Sequence, residues 1–166
     1  RIIVDRVLER QTSDGGWRRQ LVPGHCDCLP RHRGNAGFMV GVLMTGLKKY
    51  YDATGDERVA QSIVNAARFL VADLWTPAIS GFRYTSCPRT QPGTGSNFLL
   101  FEGLVFAYER THDPQLRQVL LAGTDAAVKN MASFGKGFTQ YTRVTPHFIE
   151  RLARLKGWKG HTEGMH

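Results

Sequence analysis

Gly46-Leu47-Lys48-Lys49-Tyr50-Tyr51-Asp52-Ala53-Thr54-Gly55-Asp56-Glu57-Arg58-Val59 has a counterpart in Gly103-Leu104-Val105-Phe106-Ala107-Tyr108-Glu109-Arg110-Thr111-His112-Asp113-Pro114-Gln115-Leu116. Gly-Leu opens both copies, Tyr, Thr and Asp follow at identical spacing, and an apolar residue closes each. Every matched pair, Asp56 and Asp113 among them, is offset by 57 positions. A period of this size marks a repeated supersecondary unit that buries its apolar face only against its neighbours.

Outward from this signature, helical runs read at about residues 1–10, 37–53, 57–75, 97–111, 114–132 and 145–156. The 37–53 and 97–111 runs are apolar nearly all round, which predicts burial on every side. The 57–75 and 114–132 runs carry one apolar stripe each and read as outer helices. Short links join inner to outer helices, with Asp56 and Asp113 as N-caps and Pro114 in the first helical turn. Outer-to-inner links are long, each carrying a Gly-aromatic pair (Gly16-Trp17, Gly81-Phe82, Gly137-Phe138) and then a polar loop (Arg18–Asn35, Arg83–Ser96, Thr139–Thr145). Loops longer than about 12 residues in a compact domain are usually functional. Ser96 or Asn97 would cap the 97–111 helix. The expected fold is all-α: one domain over 1–166 of tandem helical hairpins with alternating inner and outer helices.

Two stretches add a resemblance. Lys49-Tyr50-Tyr51-Asp52-Ala53-Thr54-Gly55-Asp56 is similar to the inner-to-outer turn of the α/α-toroid superfamily, the six-hairpin glycosidases and toroid polysaccharide lyases in particular. Gln11-x-x-Asp14-Gly15-Gly16-Trp17 resembles an element of terpene-cyclase toroids, although no Asp-rich acid motif of that chemistry is present. The resemblance spans the chain and implies a partial toroid of about three hairpins, roughly half a ring. It further implies a substrate cup formed by the long loops above the inner helices. No catalytic motif of these families transfers residue by residue.

Composition sets bounds. The chain has 166 residues, 42% hydrophobic and 22% charged, with net charge +8. That suits one globular domain with anionic ligands. No run reaches the roughly 20 apolar residues of a membrane span. The chain opens with Arg1 inside a helical pattern, which suggests a piece of a longer protein. Three cysteines form no complete disulfide framework, so a reducing, cytoplasmic setting is expected.

The cup-facing loops are rich in Arg, His, Tyr and Asn and poor in carboxylates. Arg forks match carboxylates or sulfates bidentately, so an acidic, uronate-type oligo- or polysaccharide is the expected ligand. Glycoside hydrolysis needs two positioned carboxyl groups. Only Asp14 and Asp27 lie in the loops, Asp14 reads equally as a turn former, and Glu102 sits well inside an inner helix. β-Elimination needs instead a base such as Tyr or His, with Asn or Arg neutralising the uronate. The inventory therefore leans to a lyase over a hydrolase. Candidate catalytic residues are His25, Tyr84, Tyr141 and His147. Candidate substrate-binding residues are Trp17, Arg33, Asn35, Arg83, Asn97 and Arg143. Recurrence of Trp17, Phe82 and Phe138 at one repeat position also fits a hydrophobic latch for the loop. A non-catalytic helical-repeat module for a protein or glycan is the alternative.

Cys26, Cys28 and Cys87, with a His, could assemble a zinc site, although Cys-x-Cys is tighter than the usual knuckle spacing. No basic stripe interleaved with aromatics favours nucleic acid. An open array leaves its terminal helices unpartnered, so a homodimer through residues such as Ile149, Leu152 and Leu155 is expected.

Overall fold

The computed structural model describes residues 1–157. The chain runs α1 (Ile2–Glu9), β1 (Arg19–Gln20), β2 (Arg33–Gly34), α2 (Gly37–Thr54), α3 (Glu57–Leu74), β3 (Trp75–Thr76), β4 (Gly81–Arg83), β5 (Pro92–Gly93), α4 (Asn97–Thr111), α5 (Pro114–Lys129), α6 (Gly135–Val144) and α7 (Ile149–Leu155). The fold is mostly α, with 62% of residues helical. The long loops carry short antiparallel ladders that the expectation of an all-α chain left out: β1 with β2, and β3-β4-β5.

The repeated signature builds a repeated corner. Thr54 and Thr111 each turn back to the carbonyl four residues earlier (2.8 Å in both) and accept from the Asp56 and Asp113 N–H groups. Gly55 and His112 leave α2 and α4 in the left-handed conformation. Asp56 and Asp113 then accept from Arg58 N–H (3.1 Å) and Gln115 N–H (2.8 Å), capping α3 and α5 as the sequence predicts. Ser96 stands at the N-cap of α4 without a side-chain cap bond.

Helices α2 and α4 pack directly on one another, with α3 lying against both and α5 against α4. Two glycines set the close approach of α2 and α4. A Cβ at Gly41 would lie 2.3 Å from the Leu99 carbonyl oxygen, and one at Gly103 would lie 2.4 Å from Met44 Cε. Helix α4 is buried from Phe98 to Ala107 apart from Leu99. Helix α2 departs from the expectation of burial all round, for Met39 (44% exposed) and Val42 (57%) face outward. Among the described residues α2 packs chiefly on α3 and α4, whereas α4 packs on α2, α3, α5 and α6.

The third copy differs most. Gly137-Phe138 is no turn but lies within α6, with Phe138 exposed, and the expected loop 139–145 is helical. A single 3-10 turn (Thr145–His147) then separates α6 from α7, where one continuous helix over 145–156 was expected. Of the α7 residues expected at a dimer face, Leu152 is buried within the chain, Leu155 is partly buried and Ile149 is exposed. On α1, the adjacent Ile2 and Ile3 are both highly exposed (79% and 80%).

Candidate functional site

The first two Gly-aromatic pairs are latches, each with its own asparagine. Trp17 N–H donates to Asn35 Oδ1 (2.9 Å) and its indole N–H to the Val7 carbonyl (2.8 Å). Asn97 Nδ2 donates to the Ser80 carbonyl beside Gly81-Phe82 and to the Gly123 carbonyl, both at 3.0 Å. Asn35 and Asn97 were expected to face substrate. Both are buried, and their side chains hold the fold. Nδ2 of Asn35 nonetheless has no hydrogen-bond partner among the described residues, and the residue lines a cavity of about 300 Å³ with Trp17, Arg19 and Met39.

The two long loops are joined edge to edge. Ladder β1–β2 closes the first loop, and Leu21 N–H bonds the His32 carbonyl at 3.0 Å. Ser86 N–H bonds the Asn35 carbonyl (2.9 Å), and Gly37 N–H the Tyr84 carbonyl (3.1 Å). Thr85 Oγ1 donates to the His25 carbonyl at 2.8 Å. This stitching brings His25 and Tyr84 together, their rings edge-on with centroids 5.3 Å apart. Phe38, from the first turn of α2, stacks on Tyr84 at 5.3 Å. An Arg19 N–H lies 3.4 Å from His25 Nδ1. Arginine only donates, so in a neutral ring this contact has Nδ1 accepting and Nε2 carrying the proton.

The other candidates are dispersed. Tyr141 is buried, its ring 4.7 Å from that of Phe98, and so packs as core where a catalytic side chain was expected. His147 and Arg143 are exposed in the C-terminal helical segment. Arg83 turns inward to the Asp73 carbonyl, while Arg33 is exposed on β2. Arg19 continues instead into a groove of about 730 Å³ lined by Arg6, Arg10, Trp17, Arg18, Leu43, Ile2 and Ile3. Sequence reading missed the α1 arginines and Phe38, which it had assigned only to helices. Among the described residues no carboxylate lines that groove, although Glu9 pairs with Arg6 and Asp14 with Arg18, two of its lining arginines.

Beside the aromatic trio, Cys26, Cys28, His32 and Cys87 bring their donor atoms within 4.8 Å of one another and could hold a metal ion such as zinc. Asp27 is exposed between two buried cysteines, the alternation of an extended segment that turns both thiols to one side. Burial pushes the Cys26 thiol up, but the His32 N–H and ring, the Cys28 N–H and the Cys87 thiol together bring it down to about 6. Burial, with the Cys87 and Cys26 sulfurs beside it, pushes Cys28 up to about 11. The cluster favours a first thiolate and opposes a second until a cation shares it.

No family model matches this chain, and neither a curated protein nor a solved structure does. Among the described residues, no helix is long and apolar enough to cross a membrane.

Proposed function

We propose that this domain is a partial α/α-toroid that binds an acidic, uronate-type glycan and acts on it by β-elimination. The observation that carries the reading is the position of Arg19, which joins the arginine-lined groove to the His25–Tyr84 pair. The groove offers guanidinium groups to uronate carboxylates, Trp17 and Tyr84 offer ring faces, and the adjoining cavity, which shares Trp17 and Arg19 with the groove, is lined by Asn35. In the reaction, Tyr84 acting as its phenolate takes the C5 proton on Oη, and the electron pair becomes the C4=C5 double bond. The C4–O bond breaks, the Tyr84 phenol returns that proton to the leaving oxygen, and His25 Nε2–H donates a hydrogen bond to the same oxygen. Hydrolysis is the weaker reading because the loop carboxylates are otherwise used. Asp14 binds Thr12, Gly16 N–H and Arg18, and Asp27 accepts from Gly24 N–H.

Titration calorimetry with oligogalacturonate, oligoglucuronate and a neutral oligosaccharide tests binding. Acidic ligands alone should bind, more weakly as salt rises, and Arg19→Ala should abolish binding without lowering the melting temperature. Appearance of an ultraviolet-absorbing unsaturated uronate, lost in Tyr84→Phe, tests the chemistry. Equal binding of the neutral sugar, or none of any, overturns the reading. A second reading, a non-catalytic repeat that docks a protein partner, is favoured by the exposed apolar side chains of Met39 and Val42 on α2 and of Ile2 and Ile3 on α1.

A further inference from the structure

We infer that Cys26, Cys28, Cys87 and His32 form a closed, tetrahedral zinc site that staples the two long loops together. This inference stands whether or not the groove binds a glycan.

The distances fit the ion. With Zn–S near 2.3 Å, a tetrahedral edge between two sulfurs is about 3.8 Å, and a sulfur-to-imidazole edge about 3.5 Å. Cys28 Sγ and Cys87 Sγ are 3.8 Å apart, and Cys26 Sγ lies 3.2 Å from His32 Nδ1. A disulfide needs about 2.05 Å, so the cysteine pair is spaced for a shared cation and not for a bond between them. All three sulfurs are buried, and Leu21 is the other member of their small cluster, which stands apart from the main core. A metal gives these otherwise weakly bonded thiols a strong partner.

The surroundings suit thiolate ligands. His32 N–H points at Cys26 Sγ (3.4 Å), the kind of outer hydrogen bond that fixes a ligand's direction. Cys87 is held by its own N–H to Thr85 Oγ1 (3.2 Å) and by its carbonyl, which accepts from Thr90 Oγ1 (2.7 Å). Three thiolates and one neutral imidazole around Zn²⁺ leave a charge of −1, which a chain of net charge +8 readily tolerates.

Four protein donors leave no open position, so the ion is structural and not a water activator. Its ligands come from 26–32 on one loop and 87 on the next, and they flank His25 on one side and Tyr84 on the other. The ion therefore holds the two loops in register exactly where the aromatic pair meets.

The full chain, purified under reducing conditions without added metal, should contain one zinc per molecule by elemental analysis. Cobalt exchanged into the wild-type protein should show thiolate charge-transfer bands and intense tetrahedral d–d bands, a readout that does not depend on any variant folding. Chelation should lower the melting temperature by about 10 °C and open residues 21–33 to limited proteolysis. Cys87→Ser and His32→Ala should each weaken zinc retention against a competing chelator at least tenfold. Metal-free protein with three titratable thiols overturns the proposal, as do octahedral cobalt spectra or undiminished zinc in Cys87→Ser.

Discussion

Thr45 and Glu102 occupy the same position of successive repeats and touch across the seam between α2 and α4, Thr45 Oγ1 donating to Glu102 Oε2 at 2.8 Å. Glu102 is only 4% exposed, so its carboxylate depends on the hydroxyl that the preceding unit supplies. Unmaking a hydrogen bond to a buried polar group costs about 1–3 kcal/mol. Thr45→Val should destabilise by that amount, and Thr45→Ser by much less. Urea unfolding of both variants checks this, and equal stabilities would show that water replaces the threonine.

The two signature glycines should respond oppositely to alanine. Gly103 faces Met44, whereas a Cβ at Gly46 meets nothing within 4 Å. Gly103→Ala should therefore overpack the seam and cost about 1–3 kcal/mol. Gly46→Ala, on an open helix surface, should stabilise by about 0.5–1 kcal/mol. Should Gly46→Ala prove as costly as Gly103→Ala in thermal unfolding, another helix covers the α2 flank in solution.

The asparagine latches give a third expectation. Asn97→Ala strips the donor from two carbonyls, Ser80 and Gly123, at a fully buried site, and should cost about 2–4 kcal/mol. Asn97→Asp should be no better, since a carboxylate cannot donate to either. A melting temperature that moves by only one or two degrees in both variants would show that the latch is dispensable.

These residues also mark where sequence reading ends. The corners at Thr54-Gly55-Asp56 and Thr111-His112-Asp113 were legible because capping is local chemistry at fixed spacing. The third Gly-aromatic pair, Gly137-Phe138, misled because the dipeptide alone is no turn. In the first two copies a distant asparagine holds the pair, and among the described residues no latching asparagine serves Gly137. The three thiols stood out in the sequence. That His32 and not His25 joins them depends on ladder β1–β2, which aligns Leu21 with His32 and turns His25 towards Tyr84. Phe38 and the α1 arginines carried no local signal, since only the stitched loops bring them to one face.

Acid should selectively erase what Asp14 contributes. Burial raises its pKa, but bonds from Thr12, Gly16 N–H and Arg18, together with the Arg18 charge, bring the net value below the ordinary 3.8. A carboxylate depressed by folding adds stability above the unfolded value and loses it as pH falls through the folded one, because the unfolded chain takes the proton first. Asp14→Asn keeps an oxygen for Thr12 and Gly16 but removes the charge facing Arg18. The side chain is about a third exposed, so the screened gain is expected below about 1 kcal/mol. The wild type should melt above the variant near neutral pH, and the gap should close on acidification below pH 3.8. Melting curves across that range, repeated at high salt, decide it: a gap that stays constant with pH assigns the difference to the turn's hydrogen bonds and not to the charge.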